Sequence, residues 1–220
     1  MYITRKTHKE TDWDKIALLA KSGELNVGDE ISDELKNNEG ITYTVAHITE
    51  DYVHFISKDC LKQRVPWNKN ELHQKNPGSF RDSYLCKLLN ESVWDLLPED
   101  LQKVITPRKC VQIKDEWKES FLMNLWLPSE YEVFGKVWAT GIREGEQFEI
   151  FKDRRNITKG AGQGGSWDAW WTMSSGGNKI HGGSASEVSY LSIANYFGGD
   201  RTSYFANQHV VPICFSIGRR

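Results

Sequence analysis

Between Gly165 and Ser175 the chain reads Gly-Ser-Trp-Asp-Ala-Trp-Trp-Thr-Met-Ser-Ser, which places three tryptophans within five residues. Tryptophan has a large apolar body and one N–H that needs an acceptor when buried. Three of them so close, with glycine-rich segments before and after, predict short strands around an aromatic core with adaptable loops above. Strands are expected at Trp170–Ser174, Glu187–Ile193 and Val210–Ile217. The loops from Lys159 to Asn207 are rich in Tyr, Trp, Asn, Ser, Gly and Arg. Recognition surfaces favour that mixture, because aromatics supply rigid contact area while small polar residues adapt their hydrogen bonds.

The 220 residues carry 28 basic and 30 acidic side chains, a net charge of −2, with no sustained basic stripe. A nucleic-acid partner therefore has no electrostatic support. Cys60, Cys86, Cys110 and Cys214 are scattered, without a CxxC pair or CxxxH spacing, so neither a structural zinc nor any other metal or cofactor is implied. A chain of this length does not need disulfides to fold. Residues 1–10 are polar and lack the apolar core of a secretory signal, and no run is long enough to span a bilayer. The expectation is synthesis in the cytoplasm without a signal peptide, with carriage on a virion as a further location.

Thr11-Asp-Trp-Asp14 predicts a helix start, with Thr11 as cap and Asp14 at capping-box spacing. Trp13, Ile16, Ala17 and Ala20 share one face, and Gly23 supplies the stop. Leu25–Ile31, Ile41–Val45 and Tyr52–Ile56 alternate with strand period, separated by turn residues at Asn37–Gly40 and Glu50–Asp51. A helix is expected over Ser83–Leu89 and another after Leu97, with Pro98 in its first turn, Leu101, Val104 and Ile105 buried and Pro107 ending it. Phe121–Leu127 is apolar and short enough for a buried strand, and Ser129–Glu132 can cap a helical turn after it.

Six segments occur in a telling order: Val27-Gly-Asp29 after the first helix, Ser83-Tyr-Leu85, Leu97-Pro-Glu-Asp-Leu101, Leu127-Pro-Ser-Glu-Tyr-Glu-Val133, Trp170-Trp-Thr-Met-Ser174 and Val210-Val-Pro-Ile-Cys-Phe215. That order resembles a domain-of-unknown-function family of Gram-positive gut bacteria and their prophages. The family's fold is C-type-lectin-like, related to formylglycine-generating enzymes and to variable phage receptor-binding proteins. The resemblance runs from about Trp13 to Ile217 and implies an α+β, C-type-lectin-like fold. It further implies a recognition role for a phage- or prophage-encoded protein. Two arginines of the family pattern are missing, where this chain reads Trp171-Thr-Met-Ser174 and Val211-Pro212.

A lectin-like fold raises calcium-dependent sugar binding, which needs several oxygens converging on one cation. The family signatures Glu-Pro-Asn, Gln-Pro-Asp and Trp-Asn-Asp are absent, and Trp167-Asp168 is only a fragment of the last. Formylglycine-type chemistry would need a reactive cysteine, whereas Cys214 sits in an apolar strand pattern that predicts a packed thiol. No Gly-x-Ser-x-Gly elbow is present. His47 and His54 fall in strand patterns, which leaves His181 and His209 as the histidines near the glycine loops. Gly160-Ala-Gly-Gln-Gly-Gly165 lacks the Lys-Ser/Thr of a P-loop and reads as a flexible surface loop. Glu130 reads first as a structural cap.

The expected architecture is α+β, with residues 1–80 forming a helix and small β meander integrated with a lectin-like core at residues 81–220. Trp170, Trp171 and Tyr190 are expected in the core. The expected function is non-catalytic recognition of a bacterial surface carbohydrate or protein. Its ligand-binding residues would be Trp167, Asp168, Asn178, His181, Tyr196, Asp200, Arg201, Tyr204 and Asn207. The alternatives are a particle protein that forms a homo-oligomer and a formylglycine-generating-like or hydrolytic enzyme.

Overall fold

Asp12 opens helix α1 (Trp13–Ser22), its carboxylate accepting the amide N–H of Lys15 at 3.0 Å. The cap thus falls one residue later than the sequence placed it, and Asp14 is exposed in the first turn. A carboxylate at this end also suits the positive pole of the helix dipole. Gly23 ends the helix at φ 77°, a left-handed conformation that glycine adopts without a Cβ penalty. The computed structural model describes residues 7–8, 12–68, 79–114, 117–137, 143–175, 190–194, 200–204 and 208–220, with the backbone alone at 7–8, 113–114, 117, 175, 190–194 and 200–204. Within them the fold is mixed α/β, with few helices and several small antiparallel sheets.

The buried face of α1 (Trp13, Ile16 and Ala20) serves a five-stranded sheet. Its strands run in the order β1 (Thr7–His8), β2 (Glu30–Glu34), β3 (Gly40–Ile48), β4 (Tyr52–Ser57) and β14 (Cys214–Gly218). β1 joins in parallel, and the other neighbours are antiparallel. The alternating pattern from Leu25 to Ile31 forms a strand only from Glu30 onward. Before it the chain turns around buried Asp29, whose side chain accepts the N–H of Asn26 at 2.9 Å. Pro212 has no N–H to give to a ladder, and the strand expected from Val210 to Ile217 accordingly begins its ladder at Cys214.

Trp13 meets Phe215, Tyr43 and Phe55 edge-on, with ring centroids 5.6, 5.8 and 6.1 Å away, and all four rings are fully buried. The indole N–H donates to Asp33 at 2.8 Å, so the one polar atom of Trp13 is satisfied at the edge of the nest.

Beyond β4 come β5 (Val65–Pro66), then α2 (Tyr84–Leu88), capped by the Ser83 hydroxyl on the N–H of Cys86. The helix continues through a π turn at Leu89–Val93 into α3 (Trp94–Leu96). Pro98 sits just outside α4 (Glu99–Val104) as its N-cap. The hairpin β6 (Arg108–Lys114) and β7 (Trp117–Met123) follows. The apolar run Phe121–Leu127 is therefore the end of a strand plus a buried loop: Leu122 is exposed where the pleat turns it outward, while Phe121 and Met123 pack inward.

Helices α5 (Glu130–Phe134) and α6 (Glu149–Lys152) precede the small hairpin β8 (Lys159–Gly160) and β9 (Trp167–Asp168). β10 (Trp170–Ser175), β11 (Tyr190–Ala194) and β12 (Asp200–Tyr204) form a three-stranded antiparallel sheet, and β13 (Gln208–His209) pairs with β5. Residues 187–189 of the expected strand lie outside the described residues. Trp170 and Trp171 are both fully buried, so β10 is covered on both faces. No helix among the described residues is long and apolar enough to cross a membrane.

Replacing Trp13 by alanine removes the largest ring of the nest and leaves Asp33 without its indole donor. The unfolding free energy is expected to drop by about 3–5 kcal/mol in urea denaturation; a loss below about 1 kcal/mol would show that the nest is not the core's centre.

Candidate functional site

The β8–β9 hairpin sets Gly160 opposite Trp167 and Lys159 opposite Asp168. Its glycine loop is anchored, in contrast to the flexible loop that the sequence predicts. The Asp59 carboxylate accepts the N–H of Gly160 at 3.0 Å and of Gly164 at 3.1 Å. A side chain of the protein itself thus takes the place that a phosphate occupies in a P-loop. At Gly165 a Cβ would lie 2.1 Å from the carbonyl oxygen of Ala161, so no larger residue fits.

Lys159 is buried beneath this loop and donates through Nζ to the carbonyl oxygens of Ser57 at 2.6 Å and Lys58 at 3.2 Å. Among the described residues no carboxylate stands within ion-pair distance of it. Burial pushes its pKa below the ordinary lysine value, opposed by the nearby Cys60, Cys214 and Asp59.

These elements border a groove of about 420 Å³. Glu30, Thr44 and Ile56 are cross-strand neighbours on β2, β3 and β4 and contribute to its lining. The chain leaving α6 adds Arg155, Asn156 and Thr158, and Trp167 completes it. Lys58 pairs with Glu30 at 3.1 Å, and Arg155 binds Asp153 through Nε and Nη2. Trp167 is 69% exposed, whereas Trp170 and Trp171 are fully buried and their indole N–H groups donate to Ile157 O and Val65 O, each at 2.8 Å. The three neighbouring tryptophans thus divide into one at the surface and two in the core.

Of the expected binding residues, Trp167 and Asp168 are neighbours on β9. Asp168, next to Trp167 along the strand, is engaged elsewhere: Oδ2 lies 2.7 Å from Nη2 of Arg64, an ion pair without hydrogen-bond geometry, and Oδ1 accepts the N–H of Ala169. His209 is close to both charges and packs edge-on against Trp171, with burial lowering its pKa. Asp200, Arg201 and Tyr204 belong to β12, opposite Ala194, Ile193 and Tyr190, so this stretch is a strand rather than a loop. Asn178, His181, Tyr196 and Asn207 lie outside the described residues. Lys58, Asp59, Arg155 and Asn156 reach the groove without any local motif that distinguishes them.

A second polar constellation lies around α5. Ser129 caps the helix on Glu132 N at 3.0 Å, and Glu132 returns the bond to Ser129 N at 2.9 Å. The reciprocal partner of the capping box is thus Glu132 rather than Glu130. The other oxygen of Glu132 pairs with Arg108, whose guanidinium lies 4.2 Å from the ring centre of Trp126. Ser174 donates to Glu144 at 2.6 Å and accepts from Glu130 N at 2.9 Å. Glu130, Glu132 and Glu144 are all buried, and these bonds hold α5 and the following loop in place.

Beside this network His54 is buried, its Nδ1 2.8 Å from the Ser216 hydroxyl and its ring parallel to Phe148. Burial, reinforced by the positive Arg108 and by His47, pushes its pKa well below the usual histidine value. Such a histidine binds its proton more tightly in the unfolded chain. Its contribution is therefore fully present above about pH 6.5 and is lost as the pH falls below that, by up to about 1.4 kcal/mol per pH unit. Thermal melts between pH 7.5 and 5 are expected to show a falling midpoint, and His54→Asn a flatter profile; an unchanged slope in the variant would contradict this assignment.

All four cysteines are buried free thiols. Burial raises the pKa of Cys60 well above the usual thiol value, that of Cys86 and Cys110 to about 12, and that of Cys214 further upward. The native protein is expected to leave all four unreacted with Ellman's reagent and to expose four on denaturation. Rapid native labelling of Cys214 would support the enzymatic alternative instead.

No curated protein and no solved structure matches the chain significantly. Residues 48–217, from the end of β3 to the penultimate residue of β14, match the family DUF6273, described as a domain of unknown function, and the chain belongs to that family.

Proposed function

We propose that the chain is a non-catalytic recognition module that binds a bacterial surface carbohydrate in the groove beside Trp167. The observation that carries this reading is the exposed indole of Trp167 at a groove lined by both charge types, an amide and hydroxyls. An indole face accepts the apolar face of a sugar ring, and polar groups around it can meet the hydroxyls. The C-type-lectin-like architecture and the phage or prophage origin belong to the same proposal, and they rest on the order of the sequence segments described above. Recognition in place of catalysis is consistent with the suppressed thiolates and with the buried carboxylates around α5, whose described partners are protein groups.

The test is binding of the intact protein to a glycan array and to bacterial cell-wall fractions, beside Trp167→Ala. The variant is expected to lose about tenfold or more in affinity while its melting temperature stays unchanged, because the side chain is at the surface. Binding that is insensitive to a chelator is also expected. Full binding by Trp167→Ala would overturn the site. Loss of binding in an Arg201→Ala/Tyr204→Ala double variant, with Trp167→Ala unaffected, would move the site to β12.

A further inference from the structure

The groove's acids and bases differ in how much hydrogen-bonding capacity they have left. Both oxygens of Asp59 are engaged by loop amides, and Glu30 is held by Lys58. On the basic side, Arg155 spends its Nε and Nη2 on Asp153 and stays 89% exposed, so Nη1, with two N–H groups, has no described protein acceptor. Lys58 is half exposed, and its ammonium has three donors for the one carboxylate it meets. Buried Lys159 adds a positive charge at the groove with no ion-pair partner among the described residues. Around the groove, Arg155 Nη1 and the remaining N–H groups of Lys58 are thus donors that the described protein groups leave available.

Resting on the carbohydrate reading above, we infer that the groove selects an anionic pyranose, its ring on Trp167 and its carboxylate or phosphate on Arg155 and Lys58. A guanidinium edge meets a planar carboxylate or a phosphate through parallel N–H bonds, which are stronger than bonds to a neutral hydroxyl. A neutral sugar would contact the same indole and leave the donors to water. The anion displaces that water and gains charge-assisted bonds to Arg155 and Lys58. Both cations are accessible, so salt screens the preference.

The experiment compares matched oligosaccharides by calorimetry at low and high salt: a glucuronate oligomer, a neutral glucose oligomer of the same length and linkage, and glucose 6-phosphate beside glucose. The anionic member of each pair is expected to bind about tenfold tighter at low salt, with the gap shrinking at high salt. Preference for the glucuronate oligomer alone identifies a carboxylate as the anion, and preference for the phosphate alone identifies a phosphate; both support the inference. Arg155→Gln combined with Lys58→Gln is expected to erase the preference, so that the anionic and neutral members of each pair bind alike, and Trp167→Ala to weaken every sugar. Equal binding of neutral and anionic members, or a preference that survives the double variant, overturns the inference and leaves the carbohydrate reading standing. If no sugar binds while cell-wall protein does, both fall together.

Discussion

The last strand lies antiparallel to β4, with Cys214 opposite Ile56 and Gly218 opposite Tyr52, and the positions of most other elements follow from that pairing. It brings Phe215 against Phe55 and Tyr43, so that α1 has an aromatic floor on which to set Trp13. It also sets Ser216 between His54 and Trp126, each of which shares the hydroxyl of Ser216. Upstream of the strand, Ile213 exchanges bonds with Ser57: its N–H goes to the Ser57 hydroxyl and its carbonyl oxygen accepts from Ser57 N. Loss of this pairing would remove the aromatic floor beneath α1 and the shared hydroxyl of Ser216.

Ser57 also links the core to the groove. Its carbonyl oxygen holds the Lys159 ammonium, and the next residues, Lys58 and Asp59, line the groove and anchor the glycine loop. The hairpin that displays Trp167 is therefore bonded to the end of a central strand at both its first strand and its loop. On the proposed reading, Trp167 on such a support would lose little conformational freedom when a ligand arrives, which favours affinity. The sequence match to the family begins at Ile48, the last residue of β3. The strands β2 and β3 and helix α1 cover one side of the aromatic nest, so the matched stretch includes only part of the core it belongs to.

The buried polar groups around α5 have a different role. Arg108, Glu132, Ser129, Glu144 and Ser174 come from β6, α5, the loop before α6 and β10, and their bonds cross between these elements. Because removing one partner would leave a buried charge unpaired, the network resists rearrangement. It fixes α5 against β6 and β10, and Phe148, which begins α6, donates its amide to Glu132 O. That relation carries the α6 side of the groove, including Arg155 and Asn156, into register with the sheet.

Much of the local architecture was legible in the sequence. The Gly23 stop, the helix from Ser83, the helical turn after Ser129 and the strands at Ile41–Val45 and Tyr52–Ile56 are signals acting over a few residues, where spacing alone decides. The burial of Trp170 and Trp171 was also readable, because two adjacent large apolar residues in a strand need cover on both faces. Other features depended on partners outside the local pattern, some about a hundred residues away. Asp59 turns a glycine-rich stretch into an anchored loop, and the end of β4 brings Lys58 to the groove that Arg155 also lines. Asn26–Asp29 turns instead of extending because its backbone bonds go to buried Asp29 and to Val45. Trp167 has the same local composition as its two neighbours and differs from them only in what the tertiary structure stacks against it. Local chemistry selected the helices, turns and strands, and only long-range packing decided which tryptophan would face solvent, because exposure is a property of the surroundings rather than of the residue.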